Sequence, residues 1–210
     1  MSIDLLLDFE SQALFAIFTY LKENPGFHDI NEISEQIGFE KRTTLKYLER
    51  LAMLSNEVKE RIGIDPLTIS ERNYRIIQQN YVENKELSLA IYHISIKIDL
   101  LEGLLLNKEN TMDSLTDKYN LSYSTLKKDV YEARDFLKEA NIDLHIRNGE
   151  IVLSGLEPTI RLFFLSFFWQ LYGGYGHPFN IENSTEKNFI FEKLSFLLSD
   201  QIDPITKIQY

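Results

Sequence analysis

Apolar positions along this chain recur at helical spacing, then in alternation, and the order of those patterns repeats. From Asp8 to Glu23, Leu14, Phe15, Phe18 and Leu21 fall on one helical face, and Asn24-Pro25-Gly26 stops the run. A short helix over about Asn31–Ile37 follows, carried by Ile30, Ile33 and Ile37. Gly38 then turns the chain, because only glycine enters the left-handed region without penalty. The spacing next predicts a helix over roughly Lys41–Leu54, after which "PLTIS" and "YRII" flank "ERN" as a weak hairpin.

The same series returns downstream. Glu86–Leu106 reads as one long apolar helix. Thr111 has the chemistry of an N-cap for a short helix bearing Met112, Leu115 and Tyr119. "NLS" makes a turn, and Ser122 caps a helix over about Tyr123–Ala140. "IDLHIRNGEIVLSG" is the clearest hairpin: Asn148-Gly149 suits a type I′ turn, and Leu144, Ile146, Ile151 and Leu153 alternate onto one face. One offset relates Ile30, Ile33, Ile37 and Phe39 to Met112, Leu115, Tyr119 and Leu121. "TTLK" at 43–46 and "STLK" at 124–127 match at an offset one residue smaller, which predicts one extra residue in or after the first turn. Two copies of one unit explain the pattern. The expected fold is mainly α with small β wings. Two tandem winged helix-turn-helix domains, at 1–80 and 84–155, precede a helical segment at 156–210. That segment holds the apolar run Ile160–Tyr172, expected as a buried helix, and a second helix over roughly Glu186–Ser199. "DPITKIQY" carries no stop signal, so the last region reads as the start of something longer.

A helical wheel separates the faces. Leu126, Val130, Ala133 and Leu137 share one side of the second long helix; Ser124, Lys127, Lys128 and Tyr131 share the other, with Asp135 nearby. In the first copy Thr43, Lys46 and Arg50 lie outward, away from Leu45, Leu48 and Ala52. Stripes that mix hydroxyls with cations suit phosphates and base edges in a major groove. Ser122 and Thr125 suit caps or phosphate contacts, Arg134 adds charge, and Arg147 and Asn148 form a wing tip that can reach the adjacent backbone.

Charge complicates this reading. The 210 residues carry a formal net charge of −10, which disfavours nonspecific polyanion binding. Locally the sign reverses: residues 41–50 hold four cations against one carboxylate, and residues 118–134 hold four against two. Salt screens the remaining acid beyond about 10 Å. The expected partner is therefore double-stranded promoter DNA; RNA polymerase and a second copy of the chain are the protein partners such a function calls for. A winged-helix protein-interaction scaffold is the alternative, since most cationic stripes are solvated faces.

The second unit, "NKENTMDSLTDKYNLSYSTLKKDVYEARDFLKEANIDLHIRNGEIVLSGLEPTIRLFFLSFFWQLYGG", resembles the DNA-binding half of the Mga/AtxA-type virulence regulators of Gram-positive bacteria. "LSYSTLKKDV" is similar to the family's recognition segment, and "IRLFFLSFFWQLYGG" to the aromatic helix after its wing. The resemblance implies a cytoplasmic transcription activator. It also implies two amino-terminal helix-turn-helix domains, then phosphotransferase regulatory domains and an EIIB-like domain, of which this chain would hold only the beginning. The residues themselves leave activation and repression open. His28, His93, His145 and His177 match none of that family's phosphorylation motifs.

Other chemistry finds no support. The chain has no cysteine, which removes disulfides and thiolate metal sites. Its four histidines have no metal-ligand spacing. "GGYGH" follows an apolar helix rather than a strand, and so is a helix stop and not a dinucleotide loop. No carboxylate pair or nucleophile elbow stands out. Neither an enzyme, a cofactor nor a metal is expected. The amino terminus lacks the basic region of a secretory signal, and the densest apolar run is too short to span a membrane.

Overall fold

A computed structural model describes residues 2–76, 81–106 and 110–173. The helix expected over 186–199 lies outside those residues. A short 3-10 helix, Ile3–Leu6, leads into α1, Phe9–Glu23, whose start is capped by Asp8 accepting from the Ser11 amide at 2.8 Å. β1, His28–Asp29, runs directly into α2, Ile30–Ile37. There Asp29 and Glu32 form a reciprocal capping box, and the bonds that Asp29 accepts, first from the Glu32 amide, hold its carboxyl below the usual range. Gly38 closes α2 at φ 73°, and α3, Lys41–Ile62, follows. α3 runs two turns beyond the expected end. Leu54, Ser55 and Val58 keep its inner face buried, and the stop is the left-handed Gly63. β2, Leu67–Ser70, and β3, Asn73–Ile76, form the wing, and β3 also pairs with β1.

The second unit repeats this plan. α4, Tyr81–Tyr92, and α5, Ile96–Leu105, replace the single helix expected over 86–106. The break falls at Ser95, whose hydroxyl donates to the Leu6 carbonyl at 2.6 Å instead of capping α5. Neither Gly nor Pro marks the site, so periodicity alone reads through it. α6, Met112–Tyr119, is capped by Thr111, and Asn120 turns the chain at φ 51°. α7, Tyr123–Lys138, is followed by β4, Asp143–Arg147, and β5, Glu150–Ser154. Asn148 and Gly149 both have positive φ, the I′ geometry expected of them. Asn110 accepts from the Ile151 amide, and Met112 donates to the Gly149 carbonyl, so the chain before α6 lines the wing as β1 lines β3.

Two apolar cores result. The first gathers Leu14, Ile17, Leu48, Leu51 and Ile76, and takes Leu87 and Ile91 from α4. The second gathers Leu126, Val130, Ala133 and Leu144, and takes Leu89 and Tyr92 from the other side of α4. It also takes Ile3, Leu6 and Leu7, although these lie within the expected first unit. Packing therefore crosses the expected boundary between 80 and 84 in both directions. α8, Glu157–Tyr172, closes the second core with Phe167 and Leu171. It is not buried all round, as its composition suggested: Leu162 and Trp169 are 68% and 67% exposed, and Leu165 is exposed beside them. Its inner ridge alone was needed to complete the core.

Candidate nucleic-acid interface

The second unit's long helix presents the face that its sequence implies. Leu126, Val130, Ala133 and Leu137 are fully buried, which leaves Ser124, Thr125, Lys128 and Tyr131 in solvent. Lys127 is half-buried, with its ammonium 5.6 Å from the centre of the Tyr131 ring. Ser122 starts the helix: its Oγ accepts from the Thr125 amide at 3.2 Å and lies 2.9 and 2.8 Å from the hydroxyls of Ser124 and Thr125. Three hydroxyls thus gather at the positive end of the α7 dipole, flanked by Lys127 and Lys128. Glu132, on the same side, is occupied by Lys97 at 2.7 Å and approached by Lys128 at 3.7 Å. The hydrogen bond from Lys97 holds its carboxyl below the usual range. Arg147 and Asn148 stand exposed at the wing tip.

Arg134 is placed differently. Its Nε donates to Asp143 at 2.7 Å, so the side chain ties α7 to the base of β4. That bond holds the Asp143 carboxyl below its ordinary range.

In the first unit, Lys46 is exposed and Thr43 half-buried. Arg50 reaches Glu10 on α1 at 3.5 Å. The expected inward position of Leu45 is corrected: it is 40% exposed, while Thr44 and Tyr47 are buried instead. The cause is register. Gly38-Phe39-Glu40 and Asn120-Leu121-Ser122 are turns of equal length, so no extra residue separates the copies. One offset relates Gly38 to Asn120, both left-handed, and Glu40 to Ser122, both helix-starting. It carries buried Thr44 onto buried Leu126, Leu48 onto Val130, and Leu51 onto Ala133. The matching "TLK" letters lie one residue out of structural register. The true counterparts are Thr43 with Thr125, Lys46 with Lys128, Leu45 with Lys127 and Glu49 with Tyr131.

Two features escape a reading of the sequence alone. Arg42, Thr43, Leu45, Lys46 and Glu49 line a shallow concavity of about 460 Å³ on α3. Arg72 stands exposed in the first wing's tight turn, where Gly149 stands in the second. The sheet register would have found Arg72, and the burial register the concavity. Among the described residues, no group of His, Asp or Glu side chains is arranged to hold a metal, and no helix is long and apolar enough to cross a membrane.

No curated protein matches the chain. The family description "Mga helix-turn-helix domain" matches residues 80–168. That segment runs from the start of α4 through α5, α6, α7 and both strands of the second wing, and into α8. The matched segment, similar to that helix-turn-helix domain, holds the hydroxyl cluster, both lysines and the wing tip.

Proposed function

We propose that this protein is a transcriptional regulator that reads duplex promoter DNA with both of its winged helix-turn-helix units. The observation that carries the reading is the outer face of α7. Ser122, Ser124 and Thr125 cluster at its start, Lys127, Lys128 and Tyr131 continue the stripe, and the core side of the helix is fully apolar. On a duplex, α7 enters the major groove. The hydroxyls and helix-start amides bind phosphate, and Lys127, Lys128 and Tyr131 reach base edges or the flanking backbone. Arg147 and Asn148 meet the next stretch of backbone. Thr43 and Lys46 act likewise on α3. Each unit holds few cations, so affinity per unit is low, and tethering two raises it through effective concentration. The regulator works in the cytoplasm without a cofactor, with RNA polymerase and a second copy as its protein partners.

The test is fluorescence anisotropy on duplex DNA across a salt series. Wild type is expected to bind with a log–log salt slope of roughly −3 to −5. Lys127→Ala/Lys128→Ala should cut affinity about tenfold or more and make the slope shallower by about 2. The interaction-scaffold reading draws on the exposed Leu162, Leu165 and Trp169 ridge of α8. It prevails if wild type binds no duplex at low salt, or if the double variant binds as wild type does.

A further inference from the structure

The structural register makes the two recognition helices chemically unlike at equivalent positions. Where α7 carries Lys127, α3 carries Leu45, and where α7 carries Tyr131, α3 carries Glu49. Both α3 residues are exposed and line the same hollow. Neither suits contact with a phosphate backbone: a carboxylate repels it, and an isobutyl group gains nothing from it. Yet Lys41, Arg42 and Lys46 surround them in solvent, and Thr43 begins the stripe as Thr125 does in the second unit. A cationic rim around an apolar and acidic centre matches the major groove in cross-section, with phosphates at the walls and base edges on the floor. On that floor thymine offers a methyl group, and cytosine offers an amino donor that carboxylates accept. Arg50 does not join the centre, since Glu10 holds it to the side.

We infer that Leu45 and Glu49 make the first unit a reader of base identity, Leu45 packing on a thymine C5-methyl and Glu49 accepting from the N4 amino group of a nearby cytosine. Arg42 and Lys46 then serve the flanking phosphates. This inference rests on the DNA-binding reading above and gives the two units separate tasks. The second is weighted toward backbone affinity, the first toward sequence.

The experiment begins with the full chain and a randomised duplex pool. Bound sequences are enriched, and the selected duplex is measured by anisotropy. Each thymine is then replaced singly by uracil, which removes only the methyl group. At one position the replacement should weaken wild type by about three- to tenfold, in line with the loss of one buried methyl. Leu45→Ala should bind the thymine and uracil duplexes alike, at the affinity wild type shows for uracil. Glu49→Ala, which removes the acceptor, should likewise lose discrimination at one C·G pair. Leu45 and Glu49 are exposed, so neither change disturbs the core. If the selected duplex binds, still depends on Lys127 and Lys128, but shows no thymine position at which Leu45→Ala and wild type differ, the inference is overturned and DNA binding stands. If no duplex is enriched or bound, both fall together.

Discussion

At the scale of single residues, sequence and structure part company over which cations are free to act. Lys128 faces outward as expected and Lys127 is half-buried beside Tyr131, but Arg134 is held by Asp143. Arg134→Ala should therefore act on stability rather than on DNA. A drop in melting temperature of a few degrees with an unchanged salt slope is expected, in contrast to Lys127→Ala/Lys128→Ala. Acid sensitivity has a residue-scale cause as well. Burial alone would push the Asp99 carboxyl up, but hydrogen bonds from Lys118 and Tyr119, with the Lys118 charge, outweigh it and hold it down. A carboxyl depressed in the folded state contributes stability that is present above its unfolded value of about 4 and is lost as pH falls through the folded value. Glu132 behaves in the same sense. Asp129 opposes them, since burial raises its carboxyl. Urea melts should show stability falling below about pH 4, with a weaker fall in Asp99→Asn because the linked group is gone.

At the scale of elements, short-range signals were legible wherever a residue type answers a local geometric demand. Thr111 and Ser122 cap helices, Gly38 turns left-handed, and Asn148-Gly149 makes the tight turn, all as the letters imply. What failed depends on tertiary packing. The continuation of α3 past Leu54 is set by Val58 reaching the first core, the α4–α5 break by a hydroxyl spent on the Leu6 carbonyl, and the half-exposed α8 by how little ridge the core required. The outward stripe of hydroxyls and cations was legible on α7, where the buried side is uniformly apolar. On α3 the match between the two copies slipped by one residue, because buried Thr44 and exposed Leu45 invert the usual polarity. The first wing shows a further departure: its two-residue turn holds Glu71 at φ 49° and Arg72 at φ 68°, where side chains are disfavoured. Arg72→Gly should raise stability by about 1 kcal/mol, or roughly 2–4 °C, and at the same time weaken DNA binding with a salt slope shallower by about 1. Opposite signs in melting and in anisotropy would identify strain kept for a phosphate contact. A gain in stability with unchanged binding would remove Arg72 from the interface.

At the scale of the whole molecule, the two units share material, which bears on how a chain of net charge −10 holds DNA at all. Modest cationic stripes gain from tethering only if both can engage together, and the shared parts bear on that. α4 supplies Leu87 and Ile91 to one core and Leu89 and Tyr92 to the other, and Phe15 packs against both. Arg61 at the end of α3 pairs with Glu86 on α4 at 2.6 Å. On the far side, Tyr172 of α8 donates to Glu102 on α5 at 2.7 Å, and burial raises the Tyr172 hydroxyl. The amino-terminal strap is the most exacting of these links. Ile3, Leu6 and Leu7 are buried in the second core, Tyr92 donates to Asp4 at 2.7 Å, and Ser95 donates to Leu6. Deleting residues 2–7 removes three buried aliphatic side chains, worth about 1.5–3 kcal/mol each at most, and strands two buried hydroxyls at about 1–3 kcal/mol each. The loss exceeds the margin of many domains, so the second unit should be the part that fails. Hydrogen exchange should then show α5, α6 and α7 losing protection while α1, α2 and α3 retain theirs, and DNA affinity should fall at least as far as in Lys127→Ala/Lys128→Ala. If protection instead falls evenly across both units, the strap and α4 have made one cooperative body of the two. If neither unit loses protection, the strap is dispensable and its burial contributes nothing to holding the second reader in place.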